Sequence, residues 1–176
     1  MRILAFDQAV TITGYAVFED DTMVEYGRVK KKTTEFVDLE IRGRSMALDI
    51  ISLIKKWSPD LVAIEDVYGN SANPKVTIQL SRLQGEIIGY NDVNGIPTAI
   101  LASTTWRTMI GIESNQHKLR TKLKREAKDF VLDRFGLKVR VDEADAICIG
   151  CAVLFDIQKH KEEDIDGNED SDVRES

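Results

Sequence analysis

The chain has 176 residues, 43% of them hydrophobic, two cysteines and a formal net charge of −6. This is room for one domain with a full core; no apolar run nears the roughly 18 residues of a membrane-spanning helix, and two cysteines make no disulfide framework. MRILAF enters a strand with no charged leader, so a domain of the cytoplasm is expected, with no membrane partner and no small-molecule cofactor.

Residues 2–7 (RILAFD), 13–19 (TGYAVFE) and 22–30 (TMVEYGRVK) read as three successive strands joined by short turns. From Phe36 to Trp57, apolar residues at 36, 39, 46, 50, 53 and 57 have helical spacing, with Gly43 as a possible break. SPDLVAIED gives a Ser-Pro stop and then LVAI, an apolar run suited to a central strand covered on both faces, ending in Glu65. After Asn73, a helix carries Val76, Leu80, Leu83, Ile87 and Tyr90 on one face, and Gly85 and Gly89 leave another stripe free for close approach to the sheet or to a second subunit.

PTAIL (97–101) is a short strand, and STTWRTMIG a short helix with Ser103 or Thr104 as its cap and Trp106 in the core. Leu119, Leu123, Ala127, Phe130 and Val131 mark the buried face of a further helix ended by Gly136. The last element, about Asp142 to Ile157, is apolar nearly all round and therefore buried. Strands first, then helix and strand alternating, predict an α/β fold with a mixed sheet flanked by helices.

Charge is unevenly placed along these elements. Residues 156–176 hold nine acids against three bases, which accounts for the whole net charge, and beyond His160 the composition predicts a disordered, solubilising tail. Residues 117–140 hold nine Lys or Arg against three acids. Lys118, Lys122 and Arg125 follow one helical stripe, with Lys124 and Lys128 beside it. A solvated helix face has this composition, and so does a surface for polyphosphate.

Asp7 and Glu65 each close an apolar strand, where α/β sheets form their sites. Asp142 and Asp145, at i and i+3, open the last helix on one face, at an end that favours negative charge. Singly, each acid could be a cap or a turn residue. Together, four carboxylates from three segments must take up protons or bind cations, and oxygen donors suit Mg²⁺ or Mn²⁺. Two such ions can stabilise the attacking water and the leaving oxygen of a phosphodiester.

The order Asp7, TGYAV in the second strand, AIEDVY closing the fourth and DEADAICIG opening the last helix resembles the RuvC family of Holliday junction resolvases. These lie in the RNase H-like nuclease superfamily, and the phage-type members are the most similar. The resemblance covers residues 1 to about 155. It implies an RNase H-like fold with a mixed five-stranded sheet, a nuclease domain over residues 1–158 and an acidic tail over 159–176. It also implies Asp7, Glu65, Asp142 and Asp145 as a Mg²⁺-binding catalytic tetrad with two ions (Mn²⁺ as a substitute), in an endonuclease that binds branched DNA, four-way junctions above all, as a homodimer and nicks two strands.

From the same resemblance, KREAKDFV suggests Lys124 near the scissile phosphate, with Lys122 and Lys128 as competitors. TTWRTMIGI makes Arg107 a second phosphate contact, and Tyr68 stands where the bacterial enzymes have a Phe that stacks on opened bases. Beside Asp7 the bacterial Pro-Gly is replaced by Gln8-Ala9, so cleavage preference does not carry over. A junction-binding architectural protein without cleavage, or a nuclease of this fold acting on RNA, are the alternatives. Clustered acids near phosphates argue against the first. Cys148 and Cys151 lie inside the buried helix, away from any ligand loop with His117 and His160, and are expected to be core residues without zinc or redox function.

Overall fold

The computed structural model describes residues 1–33, 38–67, 73–113 and 119–172. Five strands, β1 (Arg2–Asp7), β2 (Ile12–Glu19), β3 (Thr22–Lys30), β4 (Leu61–Glu65) and β5 (Thr98–Leu101), form one sheet in the order β3-β2-β1-β4-β5. The first three strands are an antiparallel meander, while β1–β4 and β4–β5 are parallel, so the sheet is mixed as expected. Helices α1 (Leu39–Trp57), α2 (Pro74–Val93), α3 (Ser103–Met109), α4 (Arg120–Phe135) and α5 (Val141–Asp172) complete the chain.

The period-two alternation of strand side chains divides the core into two layers. Leu4 and Phe6 of β1 and Val62 and Ile64 of β4 pack with Met46, Ile50 and Ile54 of α1 and Leu83 and Ile87 of α2. Ile3, Ala5 and Ala63 face the other way, onto Trp106 of α3, Val131 of α4 and Ala144, Ile147 and Cys148 of α5. Asp7 and Glu65 continue the second series. Alternation therefore delivers both to the face covered by α5, the helix that carries the other two acids.

Several element ends differ from the sequence expectation. Helix α1 starts at Leu39, where the Asp38 side chain accepts the N–H groups of Glu40 and Ile41; Phe36 lies outside the described residues. Gly43 is accommodated within that helix, buried against α2. Neither Ser103 nor Thr104 caps α3: Ala102 holds the cap position and no side chain bonds there. Leu119 is the N-cap of α4 and 74% exposed, so it does not share that helix's apolar face. Gly136, at φ 69°, ends α4 as expected.

The last helix is the largest departure. It runs past Ile157 to Asp172, through residues 159–172 that composition assigned to a disordered tail. Lys159 with Glu163 and Asp156 with His160, each at i,i+4, supply helix-stabilising pairs where apolar burial has stopped. Residues 173–176 lie outside the described residues. No helix among the described residues is long and apolar enough to cross a membrane.

Candidate active site

The parallel register that aligns Phe6 with Ile64 makes Asp7 and Glu65 the next residues of adjacent strands, at their carboxyl ends. There the Gln8 side chain continues the ladder in place of backbone. Its amide nitrogen donates to the Glu65 carbonyl, and the Glu65 N–H donates to Gln8 Oε1 at 3.2 Å. Gln8 is buried, so these two bonds satisfy an amide that would otherwise be costly to place there. The carboxylate of Glu65 is held as well: the indole N–H of fully buried Trp106 donates to Glu65 Oε2 at 3.0 Å.

On the other side of Asp7 lies Gly14, its antiparallel partner on β2. A Cβ built on Gly14 would lie 1.8 Å from the carbonyl oxygen of Asp142. The start of α5 thus sits where only a glycine leaves space, one residue past the turn that Thr13 closes by bonding both the N–H and the carbonyl of Ala9. At the start of α5, the Glu143 carboxylate accepts the Arg140 N–H at 2.8 Å, half of a capping box. Because Glu143 takes the capping role, Asp142 does not serve as the cap and is left, with Asp145 one turn on, to line the cleft.

One cleft of about 850 Å³ is lined by Asp7, Glu65, Asp142 and Asp145 together with Lys124, Arg107, Arg120, Gln8, Asn73, Thr77 and Ser103. Burial, then repulsion from Asp145, Glu65 and Asp142, holds the Asp7 carboxyl well above the usual carboxylate range, with Lys124 opposing. Burial likewise pushes Asp145 up to about 6, and Arg107 is the strongest charge acting against it. Oδ1 of Asp145 is buried and lacks a hydrogen-bond partner.

These features fit a hard divalent cation: the donors are oxygen, neither His nor Cys lines the cleft among the described residues, the orphaned atom Oδ1 of Asp145 is a carboxylate oxygen, and two carboxyls resist ionising without a counter-charge. Among the described residues, however, no three His, Cys, Asp or Glu side chains stand close enough to hold an ion between them. The fold gathers the donors without closing them around one point.

The basic residues separate by position. Lys124 is half-buried on the cleft wall, whereas Lys122, Arg125 and Lys128 are exposed and do not line it. Arg107 is 9% exposed, bonded through a guanidinium nitrogen to the Ser103 carbonyl at 2.9 Å and stacked 4.0 Å from the centre of the Trp106 ring. Tyr68 and Lys118 lie outside the described residues, as does His117. Sequence patterns missed Arg120, which opens α4 and lines the cleft, and the polar roles of Gln8 and Trp106. A buried amide immediately after a strand-ending acid was the available signal for Gln8.

Cys148 and Cys151 are free, buried core residues. Burial raises both thiols, Cys151 to about 12, which leaves neither thiolate available at neutral pH. Gly85 and Gly89 have open space where a Cβ would point, so the stripe they form on α2 is not packed on the sheet.

No family model matches the chain. By sequence it is similar to the crossover junction endodeoxyribonuclease RuvC of Caldicellulosiruptor saccharolyticus, 30% identical over 93 residues that cover 50% of this chain and 54% of that protein. The RuvC of Methylobacillus flagellatus is 28% identical over 159 residues, covering 86% and 84%. The chain spans about half the length of the curated relatives it matches at 30% identity or more. Among solved structures, Thermus thermophilus RuvC in complex with a Holliday junction substrate superimposes with a TM-score of 0.71 at 16% identity, covering 90% of this chain and 96% of that one. The fold is that RNase H-like α/β architecture.

Proposed function

We propose that this relative of RuvC is a metal-dependent endonuclease that binds branched DNA, four-way junctions in particular, as a homodimer and nicks two strands. One observation carries the reading: Asp7, Glu65, Asp142 and Asp145, from β1, β4 and α5, line a single cleft that also holds Lys124. Collecting four acids where a polyanion must approach is unfavourable unless cations intervene. The names of the sequence relatives, and the junction bound in the Thermus complex, give the substrate class.

In this mechanism Asp7, Glu65, Asp142 and Asp145 would hold two Mg²⁺ ions. Bound there, the ions would supply the charge that activates water and stabilises the leaving oxygen at a phosphodiester. The burial of Asp145 and the crowding of Asp7 keep these carboxyls in wait for a cation. Lys124, on the wall of the cleft, is placed to meet charge developing on the scissile phosphate. Arg107 and Arg120 offer further positive charge along the same cleft. Lys122, Arg125 and Lys128, with Lys118, would follow the DNA backbone outside it and raise affinity without reading bases. Tyr68 would stack on bases opened at the branch point. The open stripe of Gly85 and Gly89 on α2 supports that helix as the dimer face, which brings two clefts to one junction.

The test is to incubate the protein with synthetic four-way junctions, linear duplex and RNA hairpins in Mg²⁺, beside Asp7→Asn. Paired nicks in junctions, abolished by Asp7→Asn and by chelation, are expected. Binding without cleavage would favour an architectural protein, and cleavage of the hairpins alone an RNA nuclease. A monomer at micromolar concentration in sedimentation equilibrium would remove the homodimer from the proposal.

A further inference from the structure

Glu65 is the most constrained of the four acids. Gln8 fixes its backbone at both the N–H and the carbonyl, and Trp106 occupies one of its two carboxylate oxygens. Trp106 has no exposed surface, its ring is backed by the Arg107 guanidinium at 4.0 Å, and it stands on α3, which packs against α5. A buried indole N–H is a donor only and cannot rotate away without disturbing the core around it. It therefore selects a single orientation of the carboxylate, with Oε2 committed and Oε1 left over.

We propose that Trp106 is a positioning residue: its indole N–H holds Glu65 Oε2 so that Oε1 is presented to a divalent cation in the cleft. The inference rests on the metal-dependent reading given above. It assigns to a core tryptophan the task that outer hydrogen-bond partners perform for carboxylate ligands, orienting the ligand and tuning its basicity. Packing alone would be served equally by an aromatic ring without a donor, and this difference makes the idea testable.

The experiment uses Mn²⁺ binding to the 176-residue chain, followed by electron paramagnetic resonance without DNA, for wild type and Trp106→Phe. Phenylalanine retains most of the ring volume and removes the N–H. Loss of an outer partner typically weakens metal binding about 10–100-fold, and that loss is expected here. The Mg²⁺ concentration for half-maximal junction cleavage should rise correspondingly, while junction affinity in chelator stays unchanged. Equal Mn²⁺ affinity in the two proteins overturns the positioning role. Wild-type protein that binds no Mn²⁺ overturns the metal-dependent reading itself, so the two failures are distinct.

A second measurement leaves Trp106 in place and so does not depend on Trp106→Phe folding. The chain has two tryptophans, Trp57 and Trp106. In a Trp57→Phe background, all indole emission comes from Trp106, and cation binding to the carboxylate it holds must shift or quench that emission. The change should saturate with the Mn²⁺ occupancy read by resonance and disappear in Trp57→Phe/Glu65→Gln. Emission that ignores bound Mn²⁺ would count against the proposal.

Discussion

Gly14→Ala tests how the site is assembled. The added Cβ would fall 1.8 Å from the Asp142 carbonyl oxygen and 2.4 Å from its carbonyl carbon, both backbone atoms, whereas real Cβ contacts stay beyond 3.0 Å. Moving the oxygen from 1.8 to 3.0 Å requires α5 or β2 to retreat by about 1.2 Å, and neither has a flexible end to yield. Overpacking of this kind costs about 1–3 kcal/mol. For a domain of this size that is a fall of roughly 2–12 °C in the melting temperature. Because Gly14 pairs with Asp7, the retreat separates Asp142 and Asp145 from Asp7. A displacement of about 1 Å can cost about 100-fold in rate. Junction cleavage should therefore fall by about two orders of magnitude in a protein that remains folded at 25 °C and binds junctions normally in chelator. Wild-type cleavage at an unchanged melting temperature would refute the claim that Gly14 sets the approach of α5.

Other outcomes follow from the charges. The folded-state values of Asp7 and Asp145 lie above those of the unfolded chain, so the metal-free protein gains stability below the unfolded value near 3.8 and loses it as pH rises through the folded values, about 6 for Asp145. Thermal melts in chelator from pH 5 to 8 should show that decline, and saturating Mg²⁺ should reverse it at pH 8; a flat profile would contradict it. Asp145→Asn should abolish cleavage yet raise the metal-free melting temperature at pH 8, an advantage that shrinks below pH 6. Lys124→Ala should lower the cleavage rate more than 10-fold with junction affinity nearly intact, as judged by single-turnover kinetics. Lys122→Ala, Arg125→Ala and Lys128→Ala should instead weaken junction binding and each reduce its logarithmic salt slope by about 1. Truncation after His160 should leave cleavage within a few-fold, measured on the same junctions.

The four acids were visible in the sequence because each marks the edge of an element: Asp7 and Glu65 follow strand-length apolar runs, and Asp142 and Asp145 open a buried helix. Local pattern also identified the five strands and the basic character of α4, since both depend on residues near one another in the chain. It did not choose among Lys122, Lys124 and Lys128. Adjacent stripes of one helix differ by which faces the cleft, and that is settled by how α4 lies on α5. It misjudged Leu119 and the cap of α3, because chain entry angles depend on the elements already packed beneath them.

The acidic segment failed for a related reason. Composition measures what a segment can bury, and residues 159–163 are exposed, yet a helix already nucleated by the core residues of α5 continues at low cost per added residue. Gln8, Gly14 and Trp106 look unremarkable in sequence: a polar residue after a strand, a turn glycine and a core aromatic. Their importance arises from partners 57, 128 and 41 positions away: Glu65 for Gln8, Asp142 for Gly14 and again Glu65 for Trp106. The sequence by itself determined which acids exist and on which elements they sit, through short-range periodicity. Only the tertiary structure decided that they line one cleft, because hydrogen bonds and steric exclusion between distant segments depend on distances that no local pattern encodes.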